Sequence, residues 1–290
     1  MNRANSLIGI LVSLVIGGLI LQAGSQGSIQ IYGLPLFVIC GAIGFILHWT
    51  IFLPSFAFQT GHYFDLTGSL SYISTVIAAL YLNPNLDIRD LIICAMILVW
   101  ALRLGSFLFW RIKKDGQDKR FILMKTKFTW FLMTWTLGGL WVLVTMAAGL
   151  AAMTSNTSIA LGPMAYLGIA LWVTGMLIEV VADSQKTKFR KNPDNRDRFI
   201  TTGLWAWSRH PNYFGEITLW LGLALVALPV LSGWQLATMI SPIFVYVLLT
   251  RISGIPLLER LAQKKWGSEP EFIAYTESTP ALILRKPRSR

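Results

Sequence analysis

At 290 residues, with 54% hydrophobic and only 13% charged side chains and a mean hydropathy of +0.57, the chain is too apolar for a soluble domain, where about a quarter of residues are charged. Its formal charge of +11 invites a nucleic-acid reading, but 22 of the 25 Lys and Arg fall in three clusters, from Arg111 to Lys127, from Lys186 to Arg209 and from Arg251 to the end. Basic clusters between apolar runs follow the positive-inside pattern of a membrane protein, and anionic lipid explains their sign without nucleic acid.

Eight apolar stretches approach the roughly 20 residues that a bilayer span needs, beginning near Leu7, Tyr32, Gly68, Asp90, Phe128, Ala160, Ile217 and Trp234. The third and seventh are short, so the expectation is an all-α integral membrane protein of seven to eight transmembrane helices forming one domain over 1–290. The first run, "LIGILVSLVIGGLIL", is followed by small residues in "QAGSQG", as a cleaved signal would be. Because a second span follows at once, residues 1–30 are read as an additional uncleaved helix. Cys40 and Cys94 lie in apolar runs with no CxxC spacing and no histidine cluster, so neither a disulfide nor a metal site is expected.

The third span opens in "GHYFDLTGSLSY", where Asp65 has two readings that stay open together. It is an N-cap residue, or a carboxyl beside a desolvated cavity that serves as an acid or orients a proton donor. In the fourth span, "VWALRLGSFLFWR" places Arg103 about two turns before Arg111. Either such a pair lines one helix from mid-membrane to its cytoplasmic mouth, since ionisable groups in spans face the bundle interior or a wet cavity, or Arg111 is an ordinary snorkelling flank residue. Residues 111–127 then read as a cytoplasmic loop carrying Arg120.

A second cytoplasmic loop is expected over 183–211, with Asp183, Lys186, Lys188, Arg190, Lys191, Arg196 and Arg198 leading into "SRHPNYFGE". Cations in such number clamp phosphates or merely touch lipid headgroups. The acids Asp183 and Glu216 among them favour directional hydrogen bonding to a polar ligand such as a ribose or an amide. His210 precedes Pro211 at a helix start, with Asn212, Tyr213 and Glu216 in the first turn and Asn212 and Glu216 four apart on one face. The tail, 256–290, carries Leu257, Leu258 and Leu261 at helical spacing among charges, the pattern of an interfacial helix. If the spans alternate, both termini and all three basic clusters share the cytoplasmic face. Neither GxGxxG nor GxxxxGK[ST] occurs, and neither GxSxG nor HExxH, so a nucleotide would bind without a Rossmann or P-loop frame.

From "ADSQKTKFR" through "DRF…GLWAWSRHPNYFGE" to "RISGIPLLER…KKWG…FIAYTESTPALI", about 180 to 284, the chain resembles the membrane steroid 5α-reductase family, in its bacterial branch of reductase-like membrane proteins. "WALRLGSFLFWR…QDKRF" and "FDLTGSL" extend the resemblance more weakly. It implies an NADPH cavity open to the cytoplasm in a bacterial inner-membrane protein, with hydride transfer to the β-carbon of an enone in a steroid- or isoprenoid-like substrate drawn from the bilayer. By position it implies cofactor contacts at Arg103, Arg120, Asp183, Arg190, Arg198, Asn212, Glu216 and Arg251. Arg111, Lys186, His210 and Tyr213 join them from the reading of the residues.

The family's glutamate falls near Asp65, whereas its tyrosine falls on Trp100, leaving Tyr72 or Tyr63 to supply the proton; Asp65 and Tyr72 are taken as the catalytic candidates. An S-adenosylmethionine-dependent membrane methyltransferase of the isoprenylcysteine carboxyl methyltransferase type, which shares the "RHPNY" start, is the alternative. A non-enzymatic lipid-binding membrane protein is a third.

Overall fold

A computed structural model describes residues 2–115 and 119–286, with side chains placed for all of these except 111–115 and 119. It is all-α apart from one hairpin of two-residue strands. The helices are α1 (Arg3–Ser25), α2 (Leu36–Ala57), α3 (Phe64–Leu82), α4 (Ile88–Asp115), α5 (Phe128–Met153), α6 (Pro163–Lys191), α7 (Pro211–Ala227), α8 (Ile240–Val247), α9 (Ile255–Trp266) and α10 (Pro270–Ser278). Eight segments are long and apolar enough to cross a membrane: α1 to α6, α7 extended to Val230, and Gly233–Trp266.

Span number matches the expectation, and several boundaries correct it. The second span starts at Leu36 because β1 (Gln30–Ile31) pairs with β2 (Leu34–Pro35) across Tyr32 and Gly33, both at positive φ. Two central residues at positive φ make the turn whose twist suits a tight hairpin. The third and seventh spans begin earlier than their apolar runs, at Phe64 and Pro211, since a helix's first turn tolerates polar residues whose N–H groups seek acceptors. The expected loop over 183–211 is helical through Lys191. Nothing in "ADSQKTKFRK" breaks a helix, and the first stop is "NP" at Asn192 and Pro193. Residues 111–115, also expected in a loop, continue α4.

The chain divides into two compact units, 1–165 with 223–241 and 166–222 with 242–290. In the first, α5 is the central helix, with 89% of its apolar window buried and packed by α1, α2 and α3. Gly138 and Gly139 let it approach α2 closely: a Cβ on Gly139 would meet the backbone of Phe45 at 3.0 Å. Small residues serve membrane helices this way because lipid gives no hydrophobic drive for association, so close packing must.

Arg89, outside the basic clusters, is 1% exposed. Its Nη1 donates to the Val226 carbonyl and its Nη2 to Ile159 and Ala160 at 3.0 and 3.2 Å, all within the first unit. Beside it Asp87 accepts from the backbone N–H groups of Arg89 and Asp90 and from the Ser158 hydroxyl. One guanidinium thus satisfies carbonyls from a loop and a helix end, groups that are costly to bury alone.

In the second unit α6 and α7 meet backbone to backbone. A Cβ built on Gly175 lies 2.5 Å from the Gly215 carbonyl, one on Gly215 lies 2.6 Å from that of Gly175, and one on Gly222 lies 2.5 Å from that of Gly168. Each helix repeats glycine after seven residues, which keeps them on one face for two turns. Beyond α10 the chain straps back onto the segment ahead of α7. Arg209 N–H donates to Pro280 O at 2.9 Å, Arg285 N–H to Trp207 O at 3.0 Å, and the Ser208 hydroxyl to Leu282 O at 2.8 Å.

Candidate cofactor cavity

The second unit contains a cavity of about 530 Å³, within the size range of small-molecule sites. Of the cations expected to clamp an anion, Lys186 and Arg190 from the end of α6 and Arg196 and Arg198 from the following loop line it, while Lys188 and Lys191 do not; Arg209 before α7 and Lys265 from α9 complete the lining. Phe189, Phe199, Trp205, Leu258, Phe272 and Tyr275 make its apolar walls. The helical continuation of α6 is what places Lys186 and Arg190 one turn apart on the same wall.

Glu259 is the carboxylate of this lining, and its charge is already engaged. Arg209 Nε donates to its Oε1 at 3.0 Å, and His210 Nε2 lies 2.8 Å from the same oxygen. Lys265 pairs with Asp197 at 3.1 Å. Arg190, Arg196 and Arg198 form no ion pair among the described residues, so the cavity holds positive charge in excess of its own acids. Lys186 sits with Nζ 4.3 Å over the Trp205 ring, and Trp205 is fixed by its Nε1–H donating to Ala182 O at 3.0 Å. Tyr275 donates its hydroxyl to Trp205 O at 2.7 Å; burial raises its phenol above the ordinary value, so it stays a neutral donor.

His210 is 6% exposed and stacks on Tyr213, ring centroids 5.6 Å apart at 10°. Burial lowers its pKa, against the raising pull of Glu259 and with a further lowering by Lys186 and Arg209. The native state therefore takes up this proton less readily than the unfolded chain, and the stability that neutral His210 carries is lost as pH falls below the ordinary histidine value of about 6.5. Thermal melting between pH 7 and 5 should fall less steeply in His210→Gln than in the wild type. A slope identical in both would remove His210 as the titrating group.

The remaining candidates divide. Asn212 Nδ2 donates to Asp183 Oδ1 at 3.2 Å, joining α6 to the first turn of α7, with Glu216 half-buried one turn on. These three adjoin the cavity lining without belonging to it. Arg251 is exposed, in the π-helical turn Leu248–Ile252 that follows α8, and does not line the cavity. In the first unit, Asp65 is the second residue of α3 and not its N-cap, which is Tyr63. Its Oδ2 accepts from Arg120 Nη2 at 2.7 Å, the carboxylate 8% and the guanidinium 49% exposed. Arg120 is thus placed on the catalytic candidate. Tyr72 lies edge-on against Trp100, centroids 5.1 Å apart at 83°, a contact that joins α3 to α4. Arg103 is half-buried one turn further along α4, and the side chain of Arg111 lies outside the described residues. Sequence reasoning missed Glu259, Tyr275 and Trp205; the one signal for Glu259 was a lone acid inside the apolar stripe of "PLLERL".

Eight bilayer-length segments among the described residues define an integral membrane protein, and its second unit carries a cation-lined cavity ahead of α7. The chain belongs to the DUF1295 family, described as "Protein of unknown function (DUF1295)", which matches residues 51–279 and includes steroid 5α-reductase-like proteins. Among curated relatives, 3-oxo-5-alpha-steroid 4-dehydrogenase 1 of Homo sapiens is 38% identical over 65 residues, 22% of this chain and 25% of that protein. The Rattus norvegicus protein of the same name is 32% identical over 122 residues, 42% of this chain and 41% of its own. Probable O-methyltransferase ustE of Ustilaginoidea virens is 31% identical over 137 residues, 40% of this chain and 48% of its own. The chain thus spans between a quarter and a half of the length of these relatives. No solved structure matches.

Proposed function

We propose that the protein is an NADPH-dependent reductase of a lipophilic conjugated carbonyl compound, with the cofactor's phosphates held in the cavity of the second unit on its cytoplasmic face. The observation that carries this reading is the excess of cations over acids in that cavity. NADPH carries a pyrophosphate and a 2′-phosphate, which guanidinium groups meet with paired, charge-assisted hydrogen bonds. S-adenosylmethionine, with a sulfonium and an ammonium against one carboxylate, is a cation and gains nothing from Arg190, Arg196 and Arg198. The printed names of the dehydrogenase relatives support the reductase, and that of ustE supports the methyltransferase alternative.

In this reading Lys186, Arg190 and Arg198 bind the anionic groups, and the Asp183 and Asn212 pair offers amide and carboxylate hydrogen bonds at the start of α7. NADPH, when bound, supplies the hydride that reaches the β-carbon of the enone. The chain's part is to deliver a proton and polarise the carbonyl. Tyr72 and Asp65, two turns apart on α3 and the latter paired with Arg120, are the proposed proton donor and carboxylate of this step. Asp65→Asn is expected to retain NADPH binding and to slow substrate-dependent NADPH oxidation about 100-fold, within the usual range for removing one acid–base group. Undiminished turnover would take Asp65 out of the mechanism.

A further inference from the structure

Helix α9 has two halves with different tasks. Leu258, Glu259, Ala262, Lys265 and Trp266 form one side and line the cavity, with Leu261 at its rim. Leu257 on the other side and Leu261 at the border, four residues apart, are 52% and 57% exposed, flanked by the exposed pair Arg260 and Lys264. Around a helix of 3.6 residues per turn, the four outward residues fall within about 100° of one another. Apolar residues in such a stripe, beside a row of cations, meet the requirements of a helix lying in the headgroup layer of an anionic membrane.

Position supports the same occupant. The last bilayer-length segment covers Gly233–Trp266, and the π-helical turn with exposed Arg251, followed by Gly254 and Pro256, is where the amphipathic α9 leaves its apolar part. A segment directly continuous with a span cannot be far from the bilayer surface.

We propose that the outer half of α9 docks on the anionic surface of the bilayer, so that lipid charge holds one wall of the cavity in place. Glu259 transmits the restraint, since the oxygen it offers to Arg209 and His210 ties α9 to the residues that open α7. The docking stands on α9 alone; its effect on nucleotide affinity rests on the reading of the cavity as a cofactor site.

The test uses the full chain in vesicles of phosphatidylcholine alone or with about a third phosphatidylglycerol, whose negative surface attracts lysine and arginine side chains. Leu257→Cys carries an environment-sensitive fluorophore; the native Cys40 and Cys94 are buried. The expected result is a blue-shifted probe quenched by spin-labelled lipid in the anionic vesicles, with the shift reduced by Arg260→Gln with Lys264→Gln. Ala262→Cys, on the cavity side, should react several-fold more slowly with a water-soluble thiol reagent in the anionic vesicles. NADPH affinity in the unlabelled protein should be several-fold tighter there. A probe at position 257 equally open to aqueous iodide in both vesicles overturns the docking. A docked probe with an unchanged reaction rate at 262 overturns the coupling. Absence of NADPH binding in either vesicle would count against the reductase and leave both thiol readouts standing.

Discussion

Loss of both Arg190 and Arg198 to alanine is expected to weaken NADPH binding about 100-fold and to erase any preference for NADPH over NADH. Both arginines line the cavity and both are exposed enough for water to screen them, so each is assigned about 1.4 kcal/mol, the lower end for a hydrogen bond to a charged group. Two such losses make about 2.8 kcal/mol, or two orders of magnitude. NADH lacks the 2′-phosphate, so its affinity should fall less. Equilibrium titration of the single and double variants in detergent checks this. An equal drop for both nucleotides would put the arginines on the pyrophosphate, and no drop for either would remove the cavity from cofactor binding.

The second large effect is on stability. Gly215, inside "NYFGE", faces the Gly175 carbonyl so closely that even one carbon would lie 2.6 Å from it. The obstacle is backbone on both sides, so no side chain is available to move aside. Gly215→Val is therefore expected to destabilise the second unit by about 3 kcal/mol or more, at the upper end for overpacking. Detergent-solubilised variant protein should melt well below the wild type and lose nucleotide binding with it. Gly68→Ala, where an added carbon meets nothing within 4 Å, is the matched control and should melt as the wild type or slightly higher, alanine being the better helix former. A Gly215→Val protein as stable as the control would contradict the close approach of α6 and α7. The glycine of this motif serves the close packing of α7 on α6.

Much of this architecture is legible in the residues because the bilayer imposes one length on every span. Apolar runs gave seven to eight spans, the third and seventh short because their polar first turns, Phe64–Thr67 and Pro211–Glu216, interrupt the apolar pattern. The end of α6 was misjudged for a related reason: "DSQKTKFRK" is charged like a loop but has good helix formers and no breaker before Asn192. Charge marks where a helix leaves the membrane, not where it stops. The excess of cations around Lys186, Arg190 and Arg198 was readable from composition. The neutralisation of Glu259 was not, since its partners Arg209 and His210 lie about 50 residues earlier, a separation over which no local pattern carries information. Likewise the contact of Tyr72 with Trp100 depends on the packing of α3 on α4, which spacing along one helix does not encode. Asp65 shows the limit from the other side. Its position at a helix start was correct to within two residues, yet its charge is committed to Arg120, 55 positions away.

The central claim is that the cation-lined cavity holds a phosphorylated dinucleotide. Calorimetric titration of the purified protein with NADPH, NADH and S-adenosylmethionine tests it most directly. The account predicts saturable binding of NADPH at one site, at least ten-fold tighter than NADH, with no heat from S-adenosylmethionine. Saturable binding of S-adenosylmethionine with none of either dinucleotide would contradict it.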